Sequence, residues 1–121
     1  MAALRVLVAD DDDRLTLLVS RYLSMEGYEV ETVADGLEAV ERAVAVPPAL
    51  VILDIMMPGI DGIQACHRIR TNPVTRDTPI LIFTALGEEG EAARLAGADA
   101  LLKKPFSLPV LGETVRRLCQ P

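Results

Sequence analysis

Five polar side chains stand at the ends of apolar runs in this chain. Asp10 and Asp11 follow residues 4–9, Asp54 follows Val51-Ile52-Leu53, Thr84 follows Ile80-Leu81-Ile82-Phe83, and Lys104 follows residues 100–103. A run that is apolar throughout reads as a strand buried on both faces, so a polar residue at its end sits where the strand leaves the core and meets solvent. Carboxylates gathered in one place raise one another's pKa unless a cation neutralises them. Oxygen donors with water in the remaining positions suit magnesium, and magnesium held by carboxylates usually partners a phosphate. A lysine ammonium can pair with one phosphate oxygen and a threonine hydroxyl can donate to another. The set describes phosphoryl transfer onto a carboxylate, where positioning and charge neutralisation do most of the catalysis.

These five residues need strands to carry them, and the hydropathy pattern supplies five strands alternating with five helices. Leu15, Leu18, Val19, Tyr22 and Leu23 recur at helical spacing and stop at Gly27. Tyr28, Val30 and Thr32 alternate with Glu29 and Glu31, the pattern of an edge strand with one wet face. Asp35 and Glu38 form a capping box for a helix with the stripe Leu37, Val40 and Val44, ended by Pro47-Pro48. After Asp54, Pro58-Gly59 forces a turn, and Asp61 caps a short helix through Ile63, Cys66 and Ile69 that breaks at Asn72-Pro73. Residues 88–96 read as a helix stopped by Gly97, and Ser107 caps a last helix with the stripe Leu108, Leu111, Val115 and Leu118.

This alternation predicts an α/β fold: a doubly wound, five-stranded parallel sheet with helices on both faces and right-handed crossovers. With strand two at an edge and strands one, three and four interior, the order is 2-1-3-4-5. The ligand crevice then lies at the carboxyl ends of strands one and three, where the order reverses. The five polar residues converge there.

The 121 residues are half hydrophobic, enough for one core without disulfides or structural metal, so residues 1–121 are expected to be a single domain with its core at about 4–119. The net charge of −6 and the absence of a Lys/Arg-rich block argue against direct nucleic-acid binding. No run approaches the length of a membrane span, no signal peptide precedes the first strand, and Cys66 and Cys119 lack metal-ligand spacing. The expectation is a cytoplasmic protein with no membrane partner. Asp12 and Asp13 read as a solvated helix start, His67 as an exposed residue without chemistry, and Met56 and Met57 as gap-filling apolar side chains.

From Val6 to about Leu118 the chain resembles a response regulator receiver domain of a two-component system. The landmarks are Val6-Leu7-Val8-Ala9-Asp10-Asp11, Leu53-Asp54-Ile55-Met56-Met57-Pro58-Gly59-Ile60-Asp61-Gly62, Phe83-Thr84-Ala85, Gly97-Ala98-Asp99 and Lys104-Pro105-Phe106. Each is weak alone; all in this order are highly specific. The resemblance implies that Asp54 accepts a phosphoryl group from a sensor histidine kinase or phosphotransfer protein. Asp11 and Asp54 would then hold Mg²⁺ by side chain, Met56 by its carbonyl and Asp10 through water. Thr84 and Lys104 would bind phosphoryl oxygens, Ala85 would leave room for them, and Pro105 would follow a cis peptide. Such a domain is a phosphoacceptor that assists its own phosphorylation and dephosphorylation rather than an enzyme. No output domain is legible in these residues, and a homodimer or a partner protein as the recipient of the signal is left open.

Two departures from the family pattern bear on signalling. Leu101 stands where the family usually carries a switching Tyr or Phe, and the interval from Thr84 to Lys104 is about two residues shorter than the common spacing. The expected signal is therefore a rearrangement of the loop and helix four rather than an aromatic flip. Met56 and Leu86 occupy positions that in the family tune water access, and their apolar character implies slow self-dephosphorylation. Three other readings compete. Asp10 and Asp12 also match the acid pair of haloacid dehalogenase-type phosphatases, a pseudo-receiver would bind partners without phosphorylation, and flavin binding lacks a phosphate-cradling loop after strand one.

Overall fold

The computed structural model describes residues 3–85 and 87–120. Its strands are β1 (Arg5–Ala9), β2 (Glu29–Val33), β3 (Leu50–Asp54), β4 (Ile80–Thr84) and β5 (Ala100–Lys103). Between and after them run α1 (Asp13–Met25), α2 (Gly36–Ala45), α3 (Gly62–Thr71), α4 (Glu88–Leu95) and α5 (Leu108–Cys119). All pairings are parallel and the order is β2-β1-β3-β4-β5, as the alternation predicts. β3 and β4 are buried along their whole length, which is why both read as unbroken apolar runs.

The sheet divides two cores. On one face Leu7, Val51, Leu53, Ile80 and Ile82 meet the small residues of α2, α3 and α4; on the other Val6, Val8, Ile52, Leu81 and Phe83 meet Val19 and Leu23 of α1 and Leu111 and Val115 of α5. Acidic side chains cap the starts of α1, α2 and α3, but on α2 Asp35 accepts from Glu38 N–H without the return bond of the expected capping box among the described residues. Asp12 caps α1 by accepting from Arg14 and Leu15 N–H, and Asp61 and Gln64 form a reciprocal capping box on α3. Gly27, at φ 99°, turns the chain out of α1.

Three further details differ from the sequence reading. On α2 the buried face is Gly36, Ala39 and Ala43, while Leu37 is exposed. The helix lies too close for larger side chains: a Cβ on Gly36 would stand 2.5 Å from the Ile60 carbonyl oxygen. Leu18 of α1 is likewise about half exposed and borders a groove of ≈ 370 Å³ with Leu15, Pro105, Phe106 and Leu108. Glu31 does not face water freely. Arg5 of β1 hydrogen-bonds it, Arg42 of α2 donates to its other oxygen at 2.6 Å, and these partners hold its carboxyl below the usual range.

Candidate functional site

Register brings the five polar residues to one edge. Ala9 pairs with Leu53, Asp54 with Phe83 and Thr84 with Lys103, so Asp10, Asp54, Thr84 and Lys104 emerge side by side. Lys104 N–H donates to the Thr84 carbonyl at 3.0 Å, extending the ladder one residue past β5. The Lys104–Pro105 peptide is cis, as the resemblance implies. Asp54, Met56, Thr84, Ala85, Glu89 and Lys104 line a common cavity of ≈ 230 Å³.

Carboxylate oxygens of Asp10, Asp11 and Asp54 lie within 4.8 Å of one another; the first and third residues are buried and Asp11 is exposed. Lys104 Nζ donates to Asp54 Oδ1 at 2.6 Å and stands 3.5 Å from Asp10 Oδ2. Asp10 Oδ1 accepts from Asp12 N–H at 2.9 Å, but its Oδ2 is buried without a hydrogen-bond partner among the described residues. Burial raises the Asp10 pKa, with the neighbouring Asp54 charge acting in the same direction; the Asp12 N–H and Lys104 offset this only in part. Burial works against the Lys104 ammonium, yet the bond to Asp54 and the attraction of both carboxylates leave its pKa raised. Three acids with one ammonium between them are short of positive charge. The orphaned Asp10 oxygen, the all-oxygen donors and one solvent-open side fit a hard divalent cation that keeps part of its water shell.

The packing roles of several supporting residues escaped the sequence reading. Phe83 and Phe106 stack with centroids 4.6 Å apart, pinning the turn after Lys104 against the strand that ends in Thr84. They are the only two phenylalanines of the chain, each adjacent to a site residue, which was a usable signal. Gly62 packs directly on the backbone of Asp54: its N–H donates to the Ile55 carbonyl at 2.9 Å, and a Cβ would lie 2.9 Å from the Asp54 carbonyl carbon. Glu89, from the first turn of α4, carried no motif. Met56 is not gap filler; it is 70% exposed at the cavity mouth, whereas Met57 is buried. Leu86 lies outside the described residues. Asp61 serves as a cap, His67 is exposed, and Leu101 is partly buried against the core under α3 and α4.

A doubly wound sheet with acids, a threonine and a lysine at its switch-point edge defines a phosphoryl-handling α/β domain. The response regulator receiver domain model matches residues 6–116, and the chain belongs to that family, whose domains work in two-component phosphorelay signalling. The chain is 41% identical over 116 residues to the phosphate regulon transcriptional regulatory protein PhoB of Rhizobium meliloti, covering 94% of this chain and 51% of that protein. It spans about half the length of the curated relatives it matches. Among solved structures, a putative response regulator from Chloroflexus aurantiacus superposes with TM-score 0.91 at 36% identity, covering 97% of this chain and 98% of that one. The receiver domain of a Pseudomonas aeruginosa sensor histidine kinase, with a magnesium ion coordinated in its active-site cleft, superposes with TM-score 0.91 at 30% identity, with 98% of each chain covered.

Proposed function

We propose that Asp54 is the phosphoryl acceptor of a phosphorelay and that magnesium is required for the transfer. The observation that carries this reading is the pairing of Lys104 Nζ with Asp54 Oδ1 at 2.6 Å, in a cavity shared with Thr84 and beside two further carboxylates. The Asp11 and Asp54 carboxylates and the Met56 carbonyl would hold Mg²⁺, with Asp10 reaching it through water. When bound, the ion offsets the charge that accumulates as the phosphoryl group arrives.

An Asp54 carboxylate oxygen attacks phosphorus of a phosphohistidine donor. The new P–O bond forms as the P–N bond breaks, and the departing imidazole takes a proton from solvent. Lys104, released from Asp54 by this neutralisation, turns to a phosphoryl oxygen, the Thr84 hydroxyl donates to another, and Ala85 leaves space for the group. The domain thereby acts as a phosphoacceptor that assists its own loading and unloading rather than turning over an external substrate.

The donor we propose is a sensor histidine kinase or a phosphotransfer protein, in keeping with the kinase-borne receiver and the transcriptional regulators that resemble this chain. The output would lie in a further module or a partner protein, with residues 1–121 acting as a single receiver domain. The test is intact mass after incubation with acetyl phosphate and magnesium, with Asp54→Asn and a chelator as parallel controls. One phosphoryl group should be gained, lost in both controls and labile to hydroxylamine. No gain under any condition would favour a partner-binding pseudo-receiver, and release of phosphate from a generic ester without an adduct would favour a phosphatase.

A further inference from the structure

The cavity that holds Asp54 has one acidic wall residue to which phosphoryl chemistry gives no task. Glu89 stands half-buried in the first turn of α4 and lines the cavity with Asp54, Thr84, Ala85 and Lys104. It forms no ion pair among the described residues; Lys104 is engaged by Asp10 and Asp54, and Arg94 by Glu91. Loading Asp54 adds negative charge to the space that Glu89 borders.

The helix bearing Glu89 is built unequally at its two ends. Its N-cap is Gly87, at φ 71°, which offers no side-chain cap, and the first turn holds Glu88, Glu89 and Glu91. Only Gly90 and Ala93 are buried from the whole of α4, so little apolar area ties it to the sheet. The far end is fastened. Arg70 of α3 donates from Nε and Nη2 to the Gly97 carbonyl at 3.2 and 2.8 Å and pairs with Asp99 Oδ2 at 2.8 Å; the same Asp99 oxygen accepts from Ile80 N–H at 2.8 Å.

We propose that Glu89 is the lever that turns phosphorylation into movement: like-charge repulsion from the group on Asp54 drives the first turn of α4 outward, pivoting about the end held by Arg70. This rests on Asp54 being the acceptor and names the residue through which its charge is read. It also gives this chain, with Leu101 at the usual aromatic position, a route to α4 that needs no ring flip. Glu89 is a positioning residue and takes no part in bond making.

Beryllofluoride, with magnesium, serves as the phosphoryl mimic. Its affinity is read by calorimetry and the opening of α4 by hydrogen exchange over residues 87–96, in the wild type, Glu89→Gln and Glu89→Asp. In the wild type, exchange at Glu91 to Arg94, whose N–H groups close the first turns, should rise about tenfold on binding while Gly97 to Asp99 stay protected. Glu89→Gln should bind the mimic about fivefold more tightly, with most of the rise in exchange gone, as expected for removing a partly screened like charge. Glu89→Asp, which keeps the charge, should restore the opening. If the wild type binds the mimic but Glu89→Gln matches it in affinity and exchange, the lever is wrong and the acceptor stands. If the wild type binds no mimic, the acceptor reading fails and the lever with it.

Discussion

Asp10→Asn should stabilise the metal-free protein and abolish most of its response to magnesium. Asparagine keeps the shape of the side chain and an oxygen to accept the Asp12 N–H, bound at 2.9 Å in the wild type. What it removes is a buried carboxylate whose Oδ2 has no hydrogen-bond partner among the described residues. Attraction to Lys104 Nζ at 3.5 Å and repulsion from Asp54 within 4.8 Å both disappear. At an effective dielectric constant of about 20 these are worth about 4.7 and 3.5 kcal/mol, so they largely cancel. The desolvation cost of an unsatisfied buried oxygen, about 1–3 kcal/mol, is then relieved; less the roughly 1 kcal/mol by which the lost attraction exceeds the lost repulsion, this leaves a net gain of about 0–2 kcal/mol. For a domain of this size, the centre of that range, about 1 kcal/mol, is a rise in Tm of about 3–6 °C. The sign with pH follows from the direction of the shift. Because the folded-state pKa of Asp10 is raised, its contribution to stability is present in acid and is lost as pH rises from the ordinary aspartate value through the raised one. The advantage of Asp10→Asn should therefore be absent near pH 3 and full near pH 7. Thermal unfolding in chelator and in magnesium, at both pH values, provides the assay. Each tenfold excess of magnesium over its Kd stabilises the wild type by about 1.4 kcal/mol and should move the variant much less. A variant less stable than wild type in chelator at pH 7, or one that keeps the full magnesium response, refutes the reasoning.

Other perturbations test the supporting structure. Gly62→Ala must push the start of α3 off the Asp54 backbone; a loss of about 1–3 kcal/mol in urea unfolding, together with slower phosphoryl uptake, is expected. Glu31→Gln should lower the urea midpoint at neutral pH through loss of the Arg5 and Arg42 bonds. As the Glu31 pKa is lowered in the fold, its contribution is present above the ordinary glutamate value and fades as pH falls through the depressed one, so the two proteins should converge in strong acid. Met56→Asn or Met56→Glu, at an exposed position on the cavity, should shorten the lifetime of the phosphorylated form by admitting and orienting water, measured by decay of the mass adduct. A thiol reagent should modify Cys119 well before Cys66, which is buried and pushed up to about 11 by that burial.

Most of the fold was legible because interior parallel strands announce themselves. β3 and β4 read as unbroken apolar runs since both their faces are covered, and each ends in a residue whose polarity has no place in a core. The convergence of Asp54, Thr84 and Lys104 followed from strand order alone. What stayed illegible was governed by distance of approach. Leu37 looks like a core residue by spacing, yet α2 turns Gly36, Ala39 and Ala43 inward, and Gly36 sits so close to Ile60 that a Cβ would clash. Glu31 looked wet because its neutralising partners, Arg5 and Arg42, come from two other elements. Glu89 had no signature at all, since a glutamate in a first helical turn is ordinary helix chemistry.

The close seating of Gly36 against Ile60 has a mechanical meaning. It backs the β3–α3 loop, which runs from Asp54 to Gly62, with the main chain of a helix, and main chain cannot yield as a side chain can. The opposite wall of the cavity belongs to a short helix held by two small residues and uncapped at its near end. Asp54 thus stands between a wall backed by main chain and a wall held by little apolar area, so stress created there by a bound group would be relieved toward α4. If Asp54 is loaded as proposed, a partner that grips the α2 side would meet the same surface before and after transfer, whereas one that grips α4 would read the state. Recognition and readout can then be selected separately on opposite sides of a single carboxylate.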